Sequence, residues 1–282
     1  MKPIHLAAAA ALTLAAAPLF AQWPSYSSGG PQTADGKLDL NAPTPRTPDG
    51  KPDFTGLWEL APAGRGGRGR GEGRGAAAPA PPPKPPAGPP LATFFNIGAN
   101  IPGGAPLQPW AYDVLMKRRA DNSKDNPDAH CLPMGLMQFH EHPQPRKIVQ
   151  TPKLIVIMYE ANYGLRQIYM DGRGLPDRDA DPWYYGYSIG HWDGDDLVVE
   201  TRGYRDDVWL DVWGTPMTSD ATTIERFRRP TFGTMQIDIT IDDPKAYTAP
   251  FTVRVNHRLS PTDQLIEFIC QDRDAIHYVG KQ

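Results

Sequence analysis

The sequence predicts a mainly β protein, an antiparallel meander closing into a lipocalin-like (calycin-like) barrel, with one short helix and a disordered insertion. Three observations predict it. From residue 147 onward, short runs rich in β-branched and aromatic residues follow one another, several alternating strictly between apolar and polar. Turn residues separate most of these runs: Thr-Pro-Lys at 151–153, Asp-Gly at 171–172, Asp-Gly-Asp at 193–195, Pro-Thr-Phe-Gly at 230–233 and Ser-Pro-Thr-Asp at 260–263. A further Trp-bearing run stands at 54–60, and joining it to the later strands would remove exposed sheet edges. A two-sheet sandwich is the alternative arrangement.

The elements follow in order. Residues 1–21 carry Lys2, an apolar run from Leu6 to Leu14 and small residues before Ala21. That is the order of a secretory signal peptide, cleaved after Ala21. The run is Ala-rich, interrupted by Pro18 and shorter than a membrane span requires, so a periplasmic or secreted protein without stable membrane insertion is expected. Residues 22–53, rich in Pro, Gly, Ser and Asp, read as an extended arm, and 54–60, "FTGLWEL", as the first strand. Residues 61–90 repeat Arg-Gly and then become largely proline. Neither half buries enough apolar surface to offset chain ordering, so a disordered insertion is expected. The net charge of −3 gives no general attraction to nucleic acid, and an exported Arg-Gly tract rarely meets RNA.

Residues 91–146 read as a helix and loops packing on the barrel. Within them "PWAYDVLMKRR" (109–119) places Pro109 at the first helical position and basic residues at the negative end of the helix dipole. Trp110 with Val114, and Ala111 with Leu115, would form its apolar stripe. The barrel region, 147–282, contains "KIVQ", "LIVIMYE", "YGLRQIYM", "GYSIGHW", "DLVVETR", "TTIERFRR", "TMQIDITI", "FTVRVNHR" and "QLIEFIC" as strands. In the eighth strand Met235, Ile237, Ile239 and Ile241 oppose Gln236, Asp238 and Thr240. Asp193-Gly194 between alternating runs is a strong hairpin signal, with Asp193 tolerating and Gly194 supplying the left-handed conformation. The aspartates at 193, 195 and 196 are therefore turn residues. Cys131 and Cys270 are the two cysteines, and in an oxidising compartment they are expected to pair.

"RTPDGKPDFTGLWEL", "IYMDGRGLP", "GYSIGHWDGDDLVVETRGYRDDVWLD", "TTIERFRR" and "ITIDDPKAYTAPFTVR" together resemble a large family of exported bacterial proteins found in acidobacteria and proteobacteria. The resemblance spans residues 46–60 and about 105–272 and implies an exported β-rich domain, with no particular reaction. The family often carries a His near the position of Met217, so a role of that His would be altered here. Gly56-Leu57-Trp58 is also similar to the G-x-W of lipocalin-type barrels. That likeness implies a Trp closing the barrel base against an Arg, for which Arg254 and Arg258 are the candidates.

The region from Trp183 to Trp213 is dense in aromatic rings, which give large, stiff contact surfaces with polar tips. A barrel of about eight strands holds one small ligand. The expected function is therefore binding of a small apolar or aromatic molecule, with Arg166, Tyr187, Trp209, Asp211 and Tyr247 as ligand contacts. The alternative is a cofactor-independent lyase, isomerase or hydratase. There His191 or His257 moves the proton, Glu160 is a further acid–base candidate, and Arg166 holds an anionic group. His191 shares a strand face with Tyr187 and Ile189, and His257 continues the apolar face of Phe251, Val253 and Val255. A third reading is zinc or copper held by His130, His140 and His142 of "HCLPMGLMQFHEH", where His140 and His142 share a face if extended. Its spacing matches no strong zinc pattern, so no cofactor is expected. The chain also lacks a serine elbow, H-E-x-x-H, a phosphate loop and a dinucleotide fingerprint in strand–helix context.

Overall fold

The computed structural model describes residues 29–61, 88–268 and 270. The expected signal peptide and most of the expected insertion lie outside them. Nine strands pair in chain order and close into a barrel through contact of the first with the last. They are β1 (Gly56–Leu60), β2 (Arg146–Gln150), β3 (Leu154–Tyr159), β4 (Leu165–Tyr169), β5 (Tyr187–Asp193), β6 (Asp196–Arg202), β7 (Thr222–Thr231), β8 (Thr234–Asp242) and β9 (Phe251–Leu259). Every strand side chain alternates between wall and interior. The inward row can be followed across the ladder: Trp58 opposite Arg146, Arg146 opposite Tyr159, Ile157 opposite Arg166, Ser188 opposite Thr201, and Glu225 opposite Ile239.

The meander is not wholly antiparallel. β4 and β5 run parallel, meeting at Ile168–Ser188 and Tyr169–Ile189. Residues 170–186 carry the chain back along the barrel between them, so β5 enters in the direction of β4. A tight hairpin would have reversed it. The expected tenth strand, "QLIEFIC", is absent among the described residues. Because β1 occupies the free edge of β9, no ladder remains for it. Those residues run outside the barrel instead, where the Ile266 amide donates to Glu160 Oε2 at 3.1 Å.

The hairpin at Asp193 forms as read, with Asp193 opposite Asp196. Only Gly194 takes the left-handed conformation there, at φ +63°. Gly at the first central position is the II′ pattern rather than the one expected from Asp193. The aspartates anchor neighbours. Asp195 receives a two-pronged contact from Arg46 at 2.9 and 2.6 Å, and Asp193 and Asp196 both contact Arg226.

An arginine does cover the Trp58 ring, but it is neither of the two expected. Trp58 donates to the Phe54 carbonyl at 2.9 Å, and the Arg229 guanidinium lies 4.8 Å from its ring centroid. Arg229 continues the inward row of Thr223, Glu225 and Phe227 on β7. The expected Arg254 and Arg258 alternate outward, where they pair with Asp238 and Glu59.

Helix α1 (Pro109–Ala120) buries Ala111 and Leu115, while Trp110 is exposed and donates to the Lys245 carbonyl. The sequence reading did not contain a second helix, α2 (Leu136–Glu141). All six of its residues are buried, so it has no polar face and no amphipathic period to read. It starts at Gly135, where a Cβ would stand 2.6 Å from the Trp209 carbonyl oxygen. α2 closes the mouth at which β2 begins and β3 ends, with Phe139 stacked on Tyr159 at 4.4 Å.

Cys131 and Cys270 form a disulfide that spans 139 residues of chain. In the chain-entropy model such a link restricts the unfolded state. Reduction, or Cys131→Ser, is expected to lower unfolding free energy by about 2–5 kcal/mol. Urea midpoints of oxidised and reduced protein measure it, and identical midpoints contradict it.

Candidate functional site

Among the described residues, buried side chains occupy the barrel interior. At its centre lies a polar array contributed by β4, β5, β6, β7 and α2. Glu225 accepts from both Arg166 Nη1, at 3.0 Å, and Arg166 Nη2. His140 reaches in from α2, its Nε2 2.6 Å from Glu225 Oε1. Arg166 also donates to Ser188 Oγ at 3.1 Å and Thr201 Oγ1 at 3.0 Å. All five side chains are buried. Burial alone would raise the Glu225 carboxyl, but Arg166 and His140 overcome it and hold it at about 2. Burial lowers His140 more than Glu225 raises it, so its imidazole is neutral. With Glu225 ionised, Nε2 carries the His140 proton and donates it, leaving Nδ1 a buried acceptor without a partner.

A second buried group adjoins it. Arg146 donates from Nη1 to the His140 carbonyl at 2.8 Å and from Nη2 to the carbonyls of His142 and Gln144, at 2.5 and 3.0 Å. Its Nη1 also lies 2.5 Å from His257 Nε2. Burial, uncompensated by an ion-paired carboxylate, lowers the Arg146 guanidinium to about 10. Burial first, then the Arg146 charge, pushes His257 well below its usual range. Arg146 thus fastens the end of α2 and the following turn to the mouth of the barrel. On the outer side of α2, Glu141 is buried with neither carboxylate oxygen hydrogen-bonded, and burial followed by Asp211 raises it well above the usual range.

The expected site residues are dispersed. Arg166 and His257 face the core, where alternation put them. His191 does not: Ser188 is buried on β5, His191 is exposed on the opposite face, and it meets no other candidate. Glu160 lies outside the barrel, accepting from Ile266 and, at 3.5 Å, from Gln144. Tyr187 is on the outer face, stacked with Tyr169 at 5.1 Å and receiving Arg173 on its hydroxyl. Asp211 organises its own loop, accepting from the amides of Ile97, Gly214 and Thr215 and from the Thr215 hydroxyl. Tyr247 donates to the Pro216 carbonyl at 2.7 Å, and Trp209 is buried beneath Arg118.

The expected metal ligands also separate. His130 is exposed and contacts the Lys124 carbonyl, while His140 lies in the core. His142 packs on Phe94 at the end of α2, and burial lowers it to about 4. The helical turn of α2 ends the extended geometry that would have aligned His140 with His142. Among the described residues no group of three potential ligands could hold a metal.

Glu225, Arg146, Ser188, Thr201 and Glu141 are buried polar residues here that were not assigned roles from sequence. Glu225 shares parity with Thr223 and Phe227, which was the available signal; Arg146 precedes its strand run and gave none.

Beside cavities of about 430 Å³ at Leu57 and Arg229 and about 390 Å³ at Tyr159 and Glu160, two more adjoin these elements. One, of about 240 Å³, sits at the mouth opposite α2, lined by Ile155, Met170, Trp192, Pro48 and Pro152 among others. The other, of about 490 Å³, lies outside the barrel between α1 and the loop bearing Trp209. Protein-family models, curated proteins and solved structures compared with this chain give no match.

Proposed function

We propose that the protein is an exported barrel that binds one small apolar or aromatic molecule at its open mouth. The observation that carries this reading is the cavity of about 240 Å³ whose floor is Ile155, Met170 and Trp192. Polar groups on its rim are already engaged. Thr47 Oγ1 donates to Asp49, Thr151 Oγ1 to the Leu154 carbonyl, and Gln150 bridges the Pro52 carbonyl and the Phe54 amide. A charged ligand would therefore gain few new partners there, whereas an apolar ring covers apolar surface. A cavity of about 150 Å³ already accommodates benzene. The disulfide supports export, because such bonds persist in oxidising compartments.

Calorimetric titration with toluene and indole tests the reading, comparing wild type with Met170→Trp, which fills the cavity from its half-buried wall. Binding to wild type and at least about tenfold weakening in the variant, equivalent to about 1.4 kcal/mol, is the expected result. Equal affinity in both proteins, or none in either, sinks it.

Acid–base catalysis is the second reading, favoured by the convergence of His140, Glu225 and Arg166. It requires α2 to leave its mouth of the barrel so that a substrate reaches His140. Hydrogen exchange at the α2 amides tests that step: protection as lasting as that of β7 and β8 rules it out.

A further inference from the structure

We propose that the cleft between α1 and the Trp209 loop is a second site, separate from the barrel mouth, and that it takes small organic carboxylates on Arg118 and Lys117. The cleft, of about 490 Å³, is lined by Lys117, Arg118, Lys124, Val114, Leu132 and Tyr184 among others. That is the size range of pockets that enclose small molecules, and it combines apolar walls with a few converging charges.

The cleft is lined by three basic residues, Lys117, Arg118 and Lys124, and three acidic ones, Asp121, Asp125 and Asp207. Lys124 is paired with Asp125 at 3.3 Å, and Asp207 is paired with Arg205 at 2.7 Å. Among the described residues, neither Lys117 nor Arg118 is ion-paired, and the carboxylates acting on Arg118 from a distance are Asp211 and Asp125. The last turn of α1 points the negative end of its dipole this way, and Lys117, Arg118 and Arg119 offset it.

Arg118 is fixed in position before any ligand arrives. Its guanidinium stacks 4.3 Å from the Trp209 ring centroid, and Nη1 donates to the Gly214 carbonyl at 2.7 Å. Gly214 is required for this placement: a Cβ there would stand 2.6 Å from Arg118 Cδ, and its φ is +95°. Burial lowers the Arg118 guanidinium more than the Asp211 and Asp125 carboxylates raise it, and a bound carboxylate would accept its remaining N–H groups. A planar guanidinium with several donors in one plane matches a carboxylate better than it matches a neutral amide or alcohol. Val114 and Leu132 supply surface for an apolar body attached to that carboxylate.

The test is titration of the full oxidised protein with benzoate, using benzamide as the uncharged isostere. Benzoate is expected to bind at about millimolar concentration or below, with benzamide at least about tenfold weaker. Arg118→Met, which keeps an apolar stem against Trp209, is expected to weaken benzoate about tenfold while circular dichroism is unchanged. Lys117→Glu changes only an exposed side chain and keeps the test decisive if Arg118→Met unfolds; benzoate should weaken severalfold there too. Toluene, taken up at the barrel mouth, should not compete with benzoate, which separates this site from that one. Equal binding of benzoate and benzamide, unchanged benzoate affinity in Lys117→Glu, or no benzoate binding overturns the proposal.

Discussion

Arg166→Leu is expected to destabilise the protein by about 3–5 kcal/mol, the usual consequence of removing one partner from a buried ion pair. Arg166 is the only guanidinium on Glu225 among the described residues, and both side chains are buried. Without it the carboxylate keeps a single contact, to a neutral His140, and Ser188 and Thr201 lose the donor that ties β5 and β6 to β4. In a chain of this size that energy corresponds to a fall in Tm of about 6–20 °C. The double variant Arg166→Leu with Glu225→Leu should recover much of the loss, because an apolar pair of similar volume no longer strands a charge. Thermal unfolding of the three proteins checks both statements. Additive losses in the double variant contradict the account of a coupled pair.

The barrel was legible because its strands carry two independent signals that agree. In β8 the row Met235, Ile237, Ile239, Ile241 is both alternating and buried, and β9 repeats the pattern with Phe251, Val253, Val255 and His257. Parity placed His257 inside, and the same alternation holds for Arg166 on β4 and for Glu225 and Arg229 on β7. It misled at His191, which was grouped with Tyr187 and Ile189 as an inward face although those rings decorate the outer wall. On β5 the inward positions are Ser188, Gly190 and Trp192, two of them small because Arg166 and Met170 occupy the adjoining space. A small-residue row gives no hydrophobic contrast to read. α2 was hidden for a related reason: a helix buried on every side has no periodicity, so "MGLMQFHEH" read as loop or ligand set. The reading of "QLIEFIC" as a strand failed for a topological reason. Its pattern suits a strand, and only the closure of β1 on β9 denies it a partner.

The buried histidines and Glu141 act on stability in opposite directions. His140 and His257 are neutral in the folded state because burial lowers them, whereas in the unfolded chain they titrate near 6.5. Below that pH the unfolded state takes up protons that the folded state refuses, so stability falls as pH drops. Glu141 does the reverse. Burial keeps it protonated in the folded state well above 4.5, its ordinary value, so the unfolded state releases a proton that the folded state keeps. Stability then falls as pH rises from 4.5 towards the folded value. Each uncompensated proton changes stability by about 1.4 kcal/mol per pH unit. His142, which burial holds at about 4, is a third such group, so between about 4.5 and 6.5 three histidines outweigh one carboxyl, giving a net rise with pH of about 2.7 kcal/mol per unit. Above 6.5 the histidines no longer contribute, and Glu141 lowers stability only until pH passes its folded-state value. A rise in stability with pH that ends near pH 6.5 is the expected result for wild type in urea unfolding across pH. In Glu141→Gln the decline above 6.5 should vanish and the acid slope should steepen by about 1.4, to about 4 kcal/mol per unit. An alkaline limb that persists in Glu141→Gln would mean that another group holds the proton, with Asp211, also raised by burial, the next to replace.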